Sequence, residues 1–105
     1  MTPTVRAGWE RSILVCGKCS KRLGGGFGEK RRTALAKALR TFLGVKRNRK
    51  ATIGIVETRC LGVCPRGAVT VIDGASPRAW ILVREGTAMA EVADALGLDA
   101  VKPAE

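Results

Sequence analysis

Apolar residues gather in short blocks along this chain, and the spacing inside the blocks changes from one to the next. Arg11-Ser12-Ile13-Leu14-Val15-Cys16 is a brief apolar run of strand length. Over residues 29–43 the period turns helical, with Leu35, Leu39, Phe42 and Leu43 at i, i+4, i+7 and i+8 on one stripe. Gly44 is placed to end that helix. Residues 51–58 are rich in β-branched side chains and predict a second strand. Ala68-Val69-Thr70-Val71-Ile72-Asp73 predicts a third, and residues 78–84 a fourth, with turn residues 74–77 making the two a hairpin. Met89, Val92, Ala93 and Leu96 have helical spacing, and Gly97 follows as a stop. Residues 1–10 form a loose arm and 99–105 a tail, and no internal repeat is present.

A strand, a crossover helix and a second strand imply a right-handed parallel unit, to which the hairpin adds antiparallel strands. The expected fold is α/β, β-α-β-β-β-α, with a mixed four-stranded sheet and two main helices. This is the element order of a thioredoxin-like fold. In it the loops after the first and second strands lie side by side at one end of the sheet. With 105 residues the chain makes one domain, 1–105. Apolar residues are 46% of it, enough for a core, but the only aromatics are Trp9, Phe27, Phe42 and Trp80. Aliphatic side chains must therefore fill the interior.

Four cysteines fall on those two loops: Cys16-Gly17-Lys18-Cys19 and Cys60-Leu61-Gly62-Val63-Cys64. Each pair follows a strand. Short spacings let two thiols of one turn face a common centre, and Gly17 and Gly62 let the backbone curl. Four converging thiolates suit an iron–sulfur cluster or a tetrahedral Zn2+. Cys16 and Cys19 alone have the spacing of a C-x-x-C dithiol oxidoreductase, and Pro65 precedes a strand as such enzymes require. That alternative leaves Cys60 and Cys64 without a role. The chain has no histidine and no paired-carboxylate or Ser/His/Asp constellation, so hydrolytic catalysis has little support. No long apolar run predicts a membrane span, and no signal segment opens the chain. A cytoplasmic setting, where thiols stay reduced, follows as the expectation.

Residues 60–71, Cys-Leu-Gly-Val-Cys-Pro-Arg-Gly-Ala-Val-Thr-Val, resemble the second cluster-binding loop and following strand of thioredoxin-like [2Fe-2S] ferredoxins. That family, whose pattern there is C-L-G-x-C before a β-branched strand, also includes a subunit of respiratory complex I. Cys16, Lys21 and the Gly24-Gly25-Gly26 run are similar to its first loop. The resemblance spans residues 11–98 in element order. It implies a [2Fe-2S] cluster on Cys16, Cys19, Cys60 and Cys64, one-electron transfer rather than enzymatic chemistry, and often a homodimer. One departure stands out: the family's first pair is usually spaced more widely than C-x2-C.

The net charge of +10 is concentrated. Residues 18–50 hold twelve Lys or Arg and a single acid, Glu29. Lys30, Lys37 and Arg40 on the predicted helix, with Lys46, Arg47, Arg49 and Lys50 after it, make a candidate docking face for an acidic redox partner. The alternatives are a solvated helix face, or a metal-stabilised module that binds nucleic acid or an acidic protein. Nucleic acid is the less favoured partner, because Phe27 and Phe42 are the only aromatics near this segment in sequence. The glycines between 24 and 28 lack a phosphate-binding pattern and suit a flexible loop over the thiols. Trp80 suits core or dimer contact.

Overall fold

A computed structural model describes residues 2–63 and 65–98. Cys64 and the expected tail at 99–105 lie outside the described residues. The elements are β1 (Arg11–Cys16), α1 (Gly17–Arg22), α2 (Leu35–Leu43), β2 (Ile53–Thr58), β3 (Ala68–Asp73), β4 (Ile81–Arg84) and α3 (Met89–Ala95). The sheet order is β2-β1-β3-β4. β1 runs parallel to β2, pairing Ile13 with Ile55 and Cys16 with Thr58. It runs antiparallel to β3, which pairs antiparallel with β4. This is the expected mixed α/β sheet in a thioredoxin-like arrangement, with two longer helices and the short α1.

Side chains alternate across a strand. Ile13, Val15, Ile55, Val69, Val71 and Val83 therefore share one face of the sheet. They join Leu35, Leu39 and Leu43 of α2 and Val92 and Ala93 of α3 in one buried cluster. β3 is buried along its whole length. On the same face Arg11 ties the sheet to the end of α3. Its guanidinium bonds Asp73 at 2.6 Å and the Leu96 carbonyl at 2.8 Å. Among the described residues no helix is long and apolar enough to cross a membrane.

Three local expectations change. The helix expected over 29–43 begins only at Leu35. Phe27 is fully buried, so the chain doubles back around it: the Phe27 and Thr33 backbones exchange hydrogen bonds of 3.1 and 2.9 Å. Arg31, at φ 55°, turns the chain between them and breaks any helix. Residues 17–22, expected as loop, form α1, whose polar sequence carries no apolar stripe to announce it. The glycine segment 24–28 is hydrogen-bonded rather than loose. Gly25 N–H donates to Ser20, Gly26 N–H to Arg31, and Gly86 N–H to Gly26. Gly25 has φ 100°, and a Cβ there would collide with the Arg32 carbonyl.

The arm is also held at its end. Gly8 N–H donates to Arg49 at 2.7 Å and Glu10 N–H to Thr52 at 2.6 Å. The Trp9 indole donates to the Asn48 carbonyl at 2.9 Å, and its ring lies flat over Gly54, where any Cβ would overlap it.

Candidate thiol site

Cys16 ends β1 and caps the start of α1, and Cys19 lies one turn into that helix. Both are buried. The second cysteine loop leaves β2 at the same end of the sheet, because β2 is parallel to β1. The two loops are joined directly: Lys18 N–H donates to the Arg59 carbonyl at 2.9 Å. Cys19 Sγ lies 3.8 Å from the Val63 carbonyl, which also accepts from the Thr70 hydroxyl at 3.0 Å. Cys60 is exposed, and its sulfur accepts from Gly62 N–H at 3.4 Å.

The electrostatics separate the buried pair. Burial pushes the Cys16 thiol up, but N–H donors of Cys19, Leu61 and Lys18, with the Cys19 thiol, outweigh it and bring Cys16 below the ordinary thiol value. Cys19 is raised, first by burial and then by the neighbouring Cys16 sulfur, while the Thr70 amide and hydroxyl pull in the opposite direction. Cys16 is thus the sulfur that carries negative charge first. Leu61 supplies one of its donors, so the second loop stabilises a thiolate on the first.

The structure brings Cys16 and Cys19 together and places Cys60 on the facing loop. Cys64 lies outside the described residues. Among the described residues no three Cys, Asp or Glu side chains converge as a ready metal-binding group. The donor chemistry nonetheless fits a thiolate-bound centre, with sulfurs on two tethered loops and several N–H groups directed at them. A groove of about 720 Å3 opens beside Cys60 and is lined by Lys18, Lys21, Arg32 and Arg59, with Glu57 among them.

The predicted docking residues go elsewhere. Arg40, Lys46, Arg47 and Arg49 surround a second hollow of about 240 Å3 along β2, and Lys50 lies next to it. Lys30 and Lys37 are exposed and line neither hollow. The 46–50 loop precedes β2 and Cys60 follows it, so the strand's six residues, ~20 Å, separate them. The cations beside the thiols are instead Lys18, Lys21, Arg32 and Arg59.

Sequence reasoning missed Thr70, Arg59 and Trp9. Thr70 had a visible signal, a hydroxyl in an otherwise apolar strand that proves fully buried. Trp9 had none, because only the tertiary fold brings the arm to the basic loop. Comparison with protein-family models, curated proteins and solved structures gives no match.

Proposed function

We propose that this chain is a small one-electron carrier that holds a [2Fe-2S] cluster on Cys16, Cys19, Cys60 and Cys64. The observation that supports it best is the tethering of two thiol-bearing loops, with Lys18 bonded to Arg59 and Leu61 N–H turned to Cys16. When bound, such a cluster supplies reversible one-electron redox change. The chain's own residues do the rest. Cysteine thiolates provide the ligands, and Cys16, held below the ordinary thiol value, is the easier of the buried pair to ionise. The N–H groups of Lys18, Cys19 and Leu61 at Cys16, and of Gly62 at Cys60, offset negative charge on sulfur. Lys18, Lys21, Arg32 and Arg59 give an acidic redox partner a landing surface beside Cys60. Exposed Trp80 and Leu82 by β4 offer a contact for a homodimer. A cytoplasmic setting keeps the thiols reduced before loading.

The second reading is dithiol exchange, favoured by the opposite displacement of Cys16 and Cys19. The Cys16 thiolate would attack a partner disulfide and release one partner thiolate. Cys19 would then displace the second, leaving Cys16–Cys19 oxidised and the partner reduced by two electrons. It ranks second because Cys16 is fully buried and out of a partner's reach.

Iron and acid-labile sulfide analysis with a visible spectrum tests the proposal. The expected result is coloured protein with about two irons and two sulfides per chain. Colourless protein with stoichiometric zinc overturns it. Disulfide reductase activity lost on Cys16→Ser or Cys19→Ser but kept on Cys60→Ser selects the dithiol instead.

A further inference from the structure

We infer that Trp9 and the cations around it, Arg40, Lys46, Arg47 and Arg49, form a binding site for single-stranded nucleic acid, separate from the thiols. Trp9 is 38% exposed yet fixed on all its attached sides. Its indole N–H is bonded to Asn48, the flanking Gly8 and Glu10 amides are bonded to Arg49 and Thr52, and one ring face rests on Gly54. A large ring held at the surface in one orientation is a stacking platform whose ordering cost is already met by folding.

The hollow it lines, about 240 Å3, is smaller than the ~300 Å3 at which pockets for drug-sized ligands begin, and suits one flat ring. Four cations line it with Glu57 as the one acid. It continues through Arg49 into an adjoining hollow of about 390 Å3 lined by Arg6, Arg49 and Lys50. Among the described residues the one close ion pair is Arg11–Asp73, so Glu57 is the single acid near these four cations and pairs closely with none of them. Burial and then the nearby Arg47 charge act against the Arg40 cation and outweigh the help of Glu57, and an incoming anion offsets the Arg47 charge.

Phosphates fit this row of charge, with Arg able to bind them in bidentate fashion. The aromatic ring decides between polyanions. A peptide of Asp and Glu alone carries no flat ring to set against the indole, whereas single-stranded nucleic acid presents a base for every phosphate. A duplex keeps its bases stacked on each other and has none to offer Trp9.

Fluorescence anisotropy of the full chain with a labelled oligothymidylate of about ten nucleotides tests this. A duplex of equal length, polyglutamate and inorganic phosphate serve as comparisons. If four phosphates are neutralised, the log–log salt slope is about −2.8, so affinity falls about 50-fold between about 50 and 200 mM salt. Trp9→Leu is expected to weaken oligothymidylate binding roughly 5- to 150-fold and Trp9→Phe to keep most of it. Arg47→Gln with Arg49→Gln, which leaves the ring in place, lowers affinity and flattens the salt slope by about 1.4. Lys30→Gln, at an exposed cation that lines neither hollow, leaves binding nearly unchanged, which separates this site from the general positive charge of the chain. The inference is overturned if oligothymidylate does not bind at about 50 mM salt. It is also overturned if polyglutamate binds as tightly and Trp9→Leu changes neither, a result that marks a surface for acidic protein. Equal binding of inorganic phosphate and oligothymidylate overturns it as well.

Discussion

Thr70→Val is the substitution that most directly joins fold to site. The Thr70 hydroxyl anchors the second cysteine loop by donating its one proton to the Val63 carbonyl at 3.0 Å, and it can turn that proton to the Cys19 sulfur once the thiol ionises, which lowers the Cys19 pKa. Valine keeps the shape and removes the hydroxyl. A lost hydrogen bond costs about 1 kcal/mol, and a carbonyl left bare in the interior about 1–3 kcal/mol. The Cys19 thiol still lies 3.8 Å from that carbonyl, so it is not left bare and the low end applies. A net loss of about 1 kcal/mol is expected. With about 2.1 cal/mol/K of unfolding entropy per residue over 105 residues, Tm falls by about 4–5 °C. Cys19 also loses one of the groups that favour its anion, so its titration moves further up. Thr70→Ser is the control. It gives up a methyl group, also worth about 1 kcal/mol, but keeps the hydroxyl and leaves Cys19 where it was. The assay is thermal melting of metal-free protein together with ultraviolet thiolate titration. A background of Cys60→Ser and Cys64→Ser leaves the buried pair as the only thiols. Identical Cys19 titration in the two Thr70 variants would refute the reasoning, as would a Thr70→Val protein that melts with the wild type.

Cys16→Ala should lower the Cys19 titration, because the Cys16 sulfur is among the groups that raise it, and Cys19→Ala, which removes the thiol donor, should raise that of Cys16. In the Cys19→Ala protein, if Cys16 stays below the ordinary thiol value, its stabilisation is present above that value. It is lost as pH falls through the depressed one, which denaturant melts across pH will detect. Gly25→Ala combines a forbidden φ with a backbone collision and is expected to cost about 2–4 kcal/mol in urea unfolding. Gly24→Ala, with positive φ but open space, is expected to cost about 1 kcal/mol. Asp73→Asn breaks a largely buried ion pair but keeps an acceptor for Ala75 N–H, so a loss of about 2 kcal/mol is expected by the same measurement.

The sheet was legible because its strands are short apolar runs and its crossover helix carries one clean stripe. The two cysteine loops were legible as neighbours because each follows a strand of a parallel pair. What stayed hidden depended on contacts between distant residues. Phe27 has no periodic partner, so nothing in its vicinity shows that it enters the core and delays α2. Helix α1 is six residues of Gly, Lys, Cys, Ser and Arg, and its formation follows from seating Cys19 and Ser20 against the sheet rather than from any apolar stripe. The concentration of charge in residues 18–50 was visible, but not its division. The fold sends Lys18, Lys21 and Arg32 to the thiol groove and Arg40 and Arg47 to the side of β2. Trp9 reaches that second group only through long-range contacts, among them its hydrogen bond to Asn48, which spans 39 residues.

Arg40 has a consequence for how the molecule behaves in a crowd of its own kind. β2 is an outer strand, and an open strand edge is a template on which another chain can add. The Arg40 guanidinium occupies the Ile55 carbonyl of that strand at 2.8 Å and sets a positive charge beside it. A second molecule that tries to extend the sheet there must displace a hydrogen-bonded cation and bring up its own like-charged copy. The opposite edge, β4, is only four residues long and ends in Arg84, a poor template by length and charge alike. Replacing Arg40 with Ala is therefore expected to produce a protein that folds but precipitates with rising concentration. Arg47 and Arg49, which sit in a loop, carry no such duty and are the safer positions at which to alter charge.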